Sequence, residues 1–355
     1  TGSAGAAEAP RFNPTKDERK MRIKSITISG LRSFGPEPVT LDLGPRTVLI
    51  GPHGAGKSTV IMALEMLHAM ASGSIHSIPC LQDDIQGDAV PDITVRASME
   101  GNVVDISSQV DIVIAADNKG IFGYSISSLK VTKHEDKPRE FEFHGRTGWQ
   151  YKEQAYEARE ELDALLGIHK FCDPSSLYPS AFFFGGHPLG EQLADEFKKM
   201  YGDFKGFEKV NQLSMVPTVG IRETNGRLTL LRHLSVGMRT YLGLLAFLLS
   251  PMWRKRVGIL ILEEPDAGLH PDLLHHLAGV IKRASEHCQI VMTTNNPGML
   301  SEFSDTPEDV VVVERPFDYT ELKRLERAPL EHWLKDYSLG HAWESGAIGG
   351  RMEVN

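Results

Sequence analysis

Residues 51–59 read GPHGAGKST, and far downstream residues 259–271 read ILILEEPDAGLHP. Together they restrict the chain to an α/β architecture in which a glycine loop meets the acidic end of a buried strand. The first stretch fits G-x-x-x-x-G-K-[ST] with Gly51, Gly56, Lys57 and Ser58. It follows the apolar run 47–50 and precedes a helical pattern in which Val60, Leu64, Leu67 and Ala71 share a face. Strand, loop and helix therefore come in the order a phosphate cradle needs. Glycines let backbone N–H groups close around phosphate oxygens, and the helix N-terminus adds the positive end of its dipole. The expected cradle is Gly51, Pro52, His53, Gly54, Ala55, Gly56, Lys57, Ser58 and Thr59. Lys57 is expected to reach the β- and γ-phosphates and the Ser58 hydroxyl to sit on Mg²⁺. A glycine-rich turn that binds nothing is the competing reading, and the flanking strand and helix weigh against it.

The second stretch opens with four apolar residues, 259–262, as suits a strand buried on both faces of a parallel sheet. Two carboxylates follow at the end where ligands bind in an open α/β sheet. Neighbouring strand residues point oppositely, so Glu263 and Glu264 are free to take different tasks. Glu263 is expected to hold Mg²⁺ through water, and Glu264 to orient and deprotonate an attacking water. An acid-rich helix start near Pro271 accounts for Asp272 but not for an acidic pair fused to a buried strand.

A third stretch, LSVGMRT at residues 234–240, precedes the strongly apolar helical run 241–249. Serine and glycine opening a helix form an anion site, although the same pair is often only an N-cap. Its place a short way before the acidic strand favours the functional reading.

With GPHGAGKST, LSVGMRT, LEEPDAGLHP and the later TTNNP in this order, the chain resembles the ATP-binding cassette ATPases of the RecF, SMC and OLD group. The opening MRIKSITISGLRSFGPEPVTLDL is similar to the N-terminal strand pair of that group. The resemblance implies a P-loop fold of a mostly parallel core sheet, an antiparallel β subdomain and a helical lobe carrying the LSVGMRT signature. It implies further that Ser235, Gly237 and Arg239 act on the γ-phosphate of ATP held by a second subunit. Two ATP molecules would then join a head-to-tail homodimer or a higher oligomer. Asp266 and Gly268 look like the loop crossing between the paired sites, and Gln82 is the candidate for the glutamine that senses Mg²⁺ and water.

The chain departs from the group at Asn295, in Thr293-Thr294-Asn295-Asn296-Pro297, where the family usually has histidine. Asparagine can donate a hydrogen bond to a γ-phosphate oxygen but takes up no proton near neutral pH. Slow basal hydrolysis is the expectation. A plain turn before Pro297 is compatible with it.

The chain has 355 residues and is 41% hydrophobic, enough for a sizeable core. Residues 1–20 are small, polar and charged and read as a disordered extension or expression scar. The expected division is then 21–148 for the first part of the nucleotide-binding lobe, 149–250 for the helical signature lobe, and 251–355 for its second part. No stretch reaches the roughly twenty apolar residues a membrane span needs. Cys80, Cys172 and Cys288 lack metal-ligand spacing, which suits a reducing cytoplasm. His270, His275 and His276 do not fall on one helix face as a zinc site would require.

The region between the motifs reads as an antiparallel sheet: residues 93–99 alternate, 110–115 and 121–126 flank a turn at 117–120, and Phe141 and Phe143 mark a further strand. Residues 153–166 and 191–205 have helical composition, and 219–230 form a hairpin turning at Asn225-Gly226. No sustained heptads separate Ser58 from Ser235, so the long coiled coil of SMC proteins is not expected there. Nor is a Toprim nuclease domain in cis expected in the tail. Two functions remain. One is an ATP-driven sensor controlling a separate effector, such as a Toprim-like nuclease, in antiviral defence. The other is a RecF-like DNA clamp, and the net charge of −9 weighs against it.

Overall fold

The computed structural model describes residues 22–71, 93–100, 106–116, 122–133, 139–143, 168–171, 188–210, 218–250 and 258–350. Gln82, Cys80, Cys172, the turn at 117–120 and the expected helix at 153–166 lie outside the described residues.

The centre is a six-stranded sheet. It contains β3 (Arg46–Ile50), β8 (Ile168–Phe171), β12 (Ile259–Glu263), β13 (Gln289–Thr293), β14 (Val310–Glu314) and β15 (Glu321–Arg324), in the order β15-β14-β3-β13-β12-β8. Every pairing is parallel except that of β14 with β15. The apolar run of β12 is explained by what covers the two faces. Ile259 and Ile261 belong to one core with Val60, Leu64 and Leu67 of α1 (Lys57–Ala71). Leu260 and Leu262 belong to a second core with Leu244, Leu248, Leu277 and Ile281 of α3 (Val236–Leu249) and α4 (Pro271–Ala284). Val311 and Val313 of β14 likewise face the first core, while Val310 and Val312 face the second. Alternation by two thus feeds two cores at once, so neither face tolerates a polar residue until the strand ends.

A second six-stranded sheet is antiparallel throughout. It runs β2 (Val39–Asp42), β1 (Arg22–Ser29), β4 (Ile93–Glu100), β5 (Ile106–Ala116), β6 (Phe122–Lys133), β7 (Arg139–Phe143). Ile23, Ile26, Ile28, Val95 and Ala97 bury their side chains in the first core. The two sheets are stitched at Gln289: its Oε1 accepts from Ile23 N and its Nε2 donates to Ile23 O, both at 2.9 Å. A buried amide satisfied on both sides fixes β1 against the first residue of β13.

The stretch expected to be one helix over 191–205 is a helix followed by a strand. α2 (Pro188–Met200) stops before the turn Tyr201-Gly202-Asp203, and Phe204 opens β9 (Phe204–Val210). Burial decides this. Phe197 of α2, Phe204 and Phe207 pack their rings with centroids 4.7 to 5.8 Å apart, a cluster that a continuous helix would pull apart. β9 joins β10 (Thr218–Glu223) and β11 (Leu228–Leu230) in a three-stranded antiparallel sheet. The β10–β11 turn lies at Asn225-Gly226 as the sequence implies, with Gly226 at φ 87°. Short helices α5 (Pro297–Ser301), α6 (Arg327–Leu330) and α7 (Leu339–Glu344) complete the described residues. Among them, no helix is long and apolar enough to cross a membrane.

Candidate nucleotide site

The chain leaves β3 at Gly51, whose φ of 147° is out of reach for most residues. A Cβ there would lie 2.0 Å from the Val313 carbonyl oxygen, so the loop passes the end of β14 only as glycine. Gly56, at φ 118°, would drive a Cβ to 2.5 Å from Thr320 Oγ1. Lys57 opens α1, and the first intrahelical bonds run from Thr59 and Val60 to Gly56 O. The N–H groups of Lys57 and Ser58 therefore precede the helical ladder, as a phosphate-facing turn requires. Lys57 Nζ donates to Gly51 O (2.6 Å) and Pro52 O (3.0 Å). Burial pulls its pKa below the usual lysine range, and the nearby Glu264 charge opposes that pull.

The two distant motifs meet at Ser58, whose Oγ donates to Glu263 Oε1 at 2.8 Å. The other oxygen of Glu263 pairs with Lys170 Nζ at 2.9 Å, and Lys170 lies 3.4 Å from Glu65. Desolvation would raise the Glu263 pKa, but the hydrogen bonds from Lys170 and Ser58 with the Lys170 charge outweigh it, and the carboxyl is held below its ordinary range. Lys170 sits in β8 opposite Ile261 of β12.

Glu264 corrects the expectation that strand alternation separates the two acids. The strand ends at Glu263, and Glu264 turns into the left-handed region at φ 44°. A non-glycine residue there carries strain of order 1–2 kcal/mol. Its N–H is held by both Thr293 O (3.1 Å) and Thr293 Oγ1 (3.0 Å). Its carboxylate accepts from Asn295 Nδ2 at 2.6 Å. The backbone reversal, rather than the pleat, gives the two acids different directions. Asn295 meets the second acid directly.

Beyond the reversal, Asp266 is 6% exposed. Its Oδ2 accepts from Thr294 Oγ1 (3.0 Å), while its buried Oδ1 has no hydrogen-bond partner among the described residues. Burial pushes its pKa up, partly offset by the Thr294 bond.

Ser235 caps α3, with Oγ accepting from Met238 N at 3.2 Å. It is exposed, as are Val236 and Arg239. A Cβ on Gly237 would fall 2.3 Å from Gly268 O, so the signature turn packs against the turn that follows Asp266. Among the described residues no hydrogen bond or ion pair links Ser235, Gly237 or Arg239 to the phosphate loop. The three histidines each have their own partner: His270 caps α4 by accepting from Asp272 N, His275 pairs with Glu302, and His276 with Glu196.

The sequence reading missed two residues. Lys170 carries no motif and is found only through the pairing of β8 with β12. Thr320, 1% exposed, donates to Ala55 O at 2.7 Å and lies 2.7 Å from Ser33 Oγ, bracing the glycine loop from the start of β15.

A lysine at a glycine loop, a hydroxyl bonded to an acid, a second acid on a reversed backbone and a buried carboxylate oxygen without a partner fit a magnesium triphosphate. Gly54, at φ 77° with nothing within 4 Å of a Cβ position, leaves one side of the loop open.

A family model described as "AAA domain" matches residues 25–212, just over half of the chain. Another, described as "AAA domain, putative AbiEii toxin, Type IV TA system", matches residues 130–301. No curated protein matches the sequence. Among solved structures, the SMC head domain from Thermotoga maritima is 16% identical, with a TM-score of 0.52 over 86% of this chain and 99% of that one. The Smc head domain with an extended coiled coil, bound to the C-terminal domain of ScpA and derived from Pyrococcus furiosus, is 11% identical, with a TM-score of 0.59 over 89% of this chain and 99% of that one. A SmcHead bound to the C-winged helix domain of ScpA is 13% identical, with a TM-score of 0.55 over 87% and 99%. At such identities the likeness concerns the fold.

Proposed function

Because the chain belongs to the AAA-domain family and has the fold of the RecF/SMC group of ABC-type ATPases, we propose that it binds ATP with Mg²⁺ and hydrolyses it in a site that a second copy completes. The observation that carries the reading is the Ser58–Glu263 hydrogen bond, which joins the glycine loop to the acidic strand across 205 residues of sequence. Lys57 and the loop N–H groups of residues 51–59 hold the phosphates. Ser58 and Glu263 hold Mg²⁺, which supplies positive charge to the phosphate oxygens when bound. Glu264 accepts the proton of the attacking water. Asn295 fixes the Glu264 carboxylate through its amide rather than carrying a proton itself, which supports slow turnover. Ser235, Gly237 and Arg239 reach the γ-phosphate of the partner's nucleotide, and Asp266 and Gly268 carry the state of one site to the signature turn, against which Gly268 packs. Gln82 keeps its proposed metal-sensing role from the resemblance alone.

The biological role we infer is a sensor switch acting on a separate effector in antiviral defence. The match to a model whose description includes a toxin–antitoxin system supports it. The test is to measure ATP turnover with and without duplex DNA at several salt concentrations, alongside ATP-dependent co-purification from the native host. The expected result is DNA-independent turnover and a nuclease or toxin retained only with ATP. Stimulation by plain duplex DNA that collapses as salt rises would replace the sensor with a clamp.

A further inference from the structure

Both oxygens of Glu263 are engaged within the protein, one by Ser58 and the other by Lys170 at 2.9 Å. Lys170 is 23% exposed and stands on a strand paired in register with β12, so its reach to this carboxylate is set by the sheet. A second acid waits beside it: Glu65 Oε2 is 3.4 Å from the same ammonium. Glu65 lies on α1 seven residues after Ser58, two turns on and along the same side of the helix.

Resting on the ATP reading above, we propose that Lys170 is a positioning residue that occupies the metal-binding carboxylate of Glu263 and shifts to Glu65 when a divalent cation is admitted. An ammonium within ion-pair distance of a metal ligand repels an incoming dication. Glu65 gives that ammonium somewhere to go with little movement, because the two carboxylates already share it. Binding of metal without nucleotide is thereby suppressed. The phosphates supply the extra negative charge that tips Lys170 off Glu263.

The experiment measures free Mn²⁺ by electron paramagnetic resonance while the full chain, first without nucleotide and then with a non-hydrolysable ATP analogue, is titrated with Mn²⁺. Thermal melting is recorded in parallel. Lys170→Met keeps the apolar stem and removes the charge, and should lower the Mn²⁺ midpoint without nucleotide roughly ten-fold, and less with the analogue bound. Glu65→Gln strands Lys170 on Glu263 and should raise the midpoint. In the double variant Glu65→Gln should have no further effect. A midpoint unchanged or raised in Lys170→Met overturns the proposal. So does a Glu65→Gln effect that is absent in the wild type, or equal in size with and without Lys170. A purely structural role for the ion pair would move the melting temperature and leave the midpoint in place, which also overturns it. If the wild type bound neither the analogue nor Mn²⁺, the ATP reading would fail instead.

Discussion

Lys57→Ala is expected to leave the fold in place and to lower ATP affinity by about two to four orders of magnitude, on the usual scale of about 1.5–3 kcal/mol for each of two hydrogen bonds to the β- and γ-phosphates. The ammonium sits at the mouth of the glycine loop with two carbonyl partners, Gly51 O and Pro52 O, and is 7% exposed. Its burial disfavours the charged form, so its removal relieves a desolvation cost that offsets the two lost bonds. Stability should therefore change little while the phosphates lose their principal cation. Isothermal titration with ATP and Mg²⁺ reads the first effect and thermal melting the second. Affinity within ten-fold of the wild type would remove Lys57 from the phosphate site.

Glu264→Gln separates binding from chemistry. The amide oxygen can still accept from Asn295, and the backbone at φ 44° is held by Thr293 regardless of the side chain. What is lost is the ability to take a proton. ATP should bind as in the wild type, and single-turnover hydrolysis should slow by roughly 10²–10⁴-fold, the range for a positioned general base. Nucleotide-bound assemblies should consequently persist long enough to be isolated by gel filtration. Hydrolysis at the normal rate would assign the base to another group.

The parts legible in the sequence were those where a local rule and the tertiary environment agree. The apolar run 259–262 reads as a doubly covered strand because four consecutive residues are apolar, and an apolar core does lie on each face of it; GPHGAGKST needs its glycines for backbone reasons that any context would impose. The Asn225-Gly226 turn is of the same kind. The residues that escaped are defined by partners distant in sequence. Lys170 is an ordinary lysine until β8 lies beside β12. Thr320 braces Ala55 from 265 residues away. Phe204 looks helical by composition and becomes a strand because Phe197 and Phe207 bury it. Alternation puts Glu264 on the pleat of β12, yet the strand stops one residue earlier and Glu264 turns to φ 44°, its N–H held by two bonds to Thr293.

The composite site is tested most directly by mixing two inactive variants. Lys57→Ala copies lack a phosphate cation, and Ser235→Arg copies place a bulky cation at the exposed signature turn, so each alone should be nearly silent in ATP turnover. A mixed dimer holds one complete site, the Ser235→Arg copy supplying the loop and the Lys57→Ala copy the signature. With random pairing, an equal mixture should recover about a quarter of the wild-type rate per protomer. No recovery on mixing, together with full turnover by Ser235→Arg alone, would contradict a site shared between two copies.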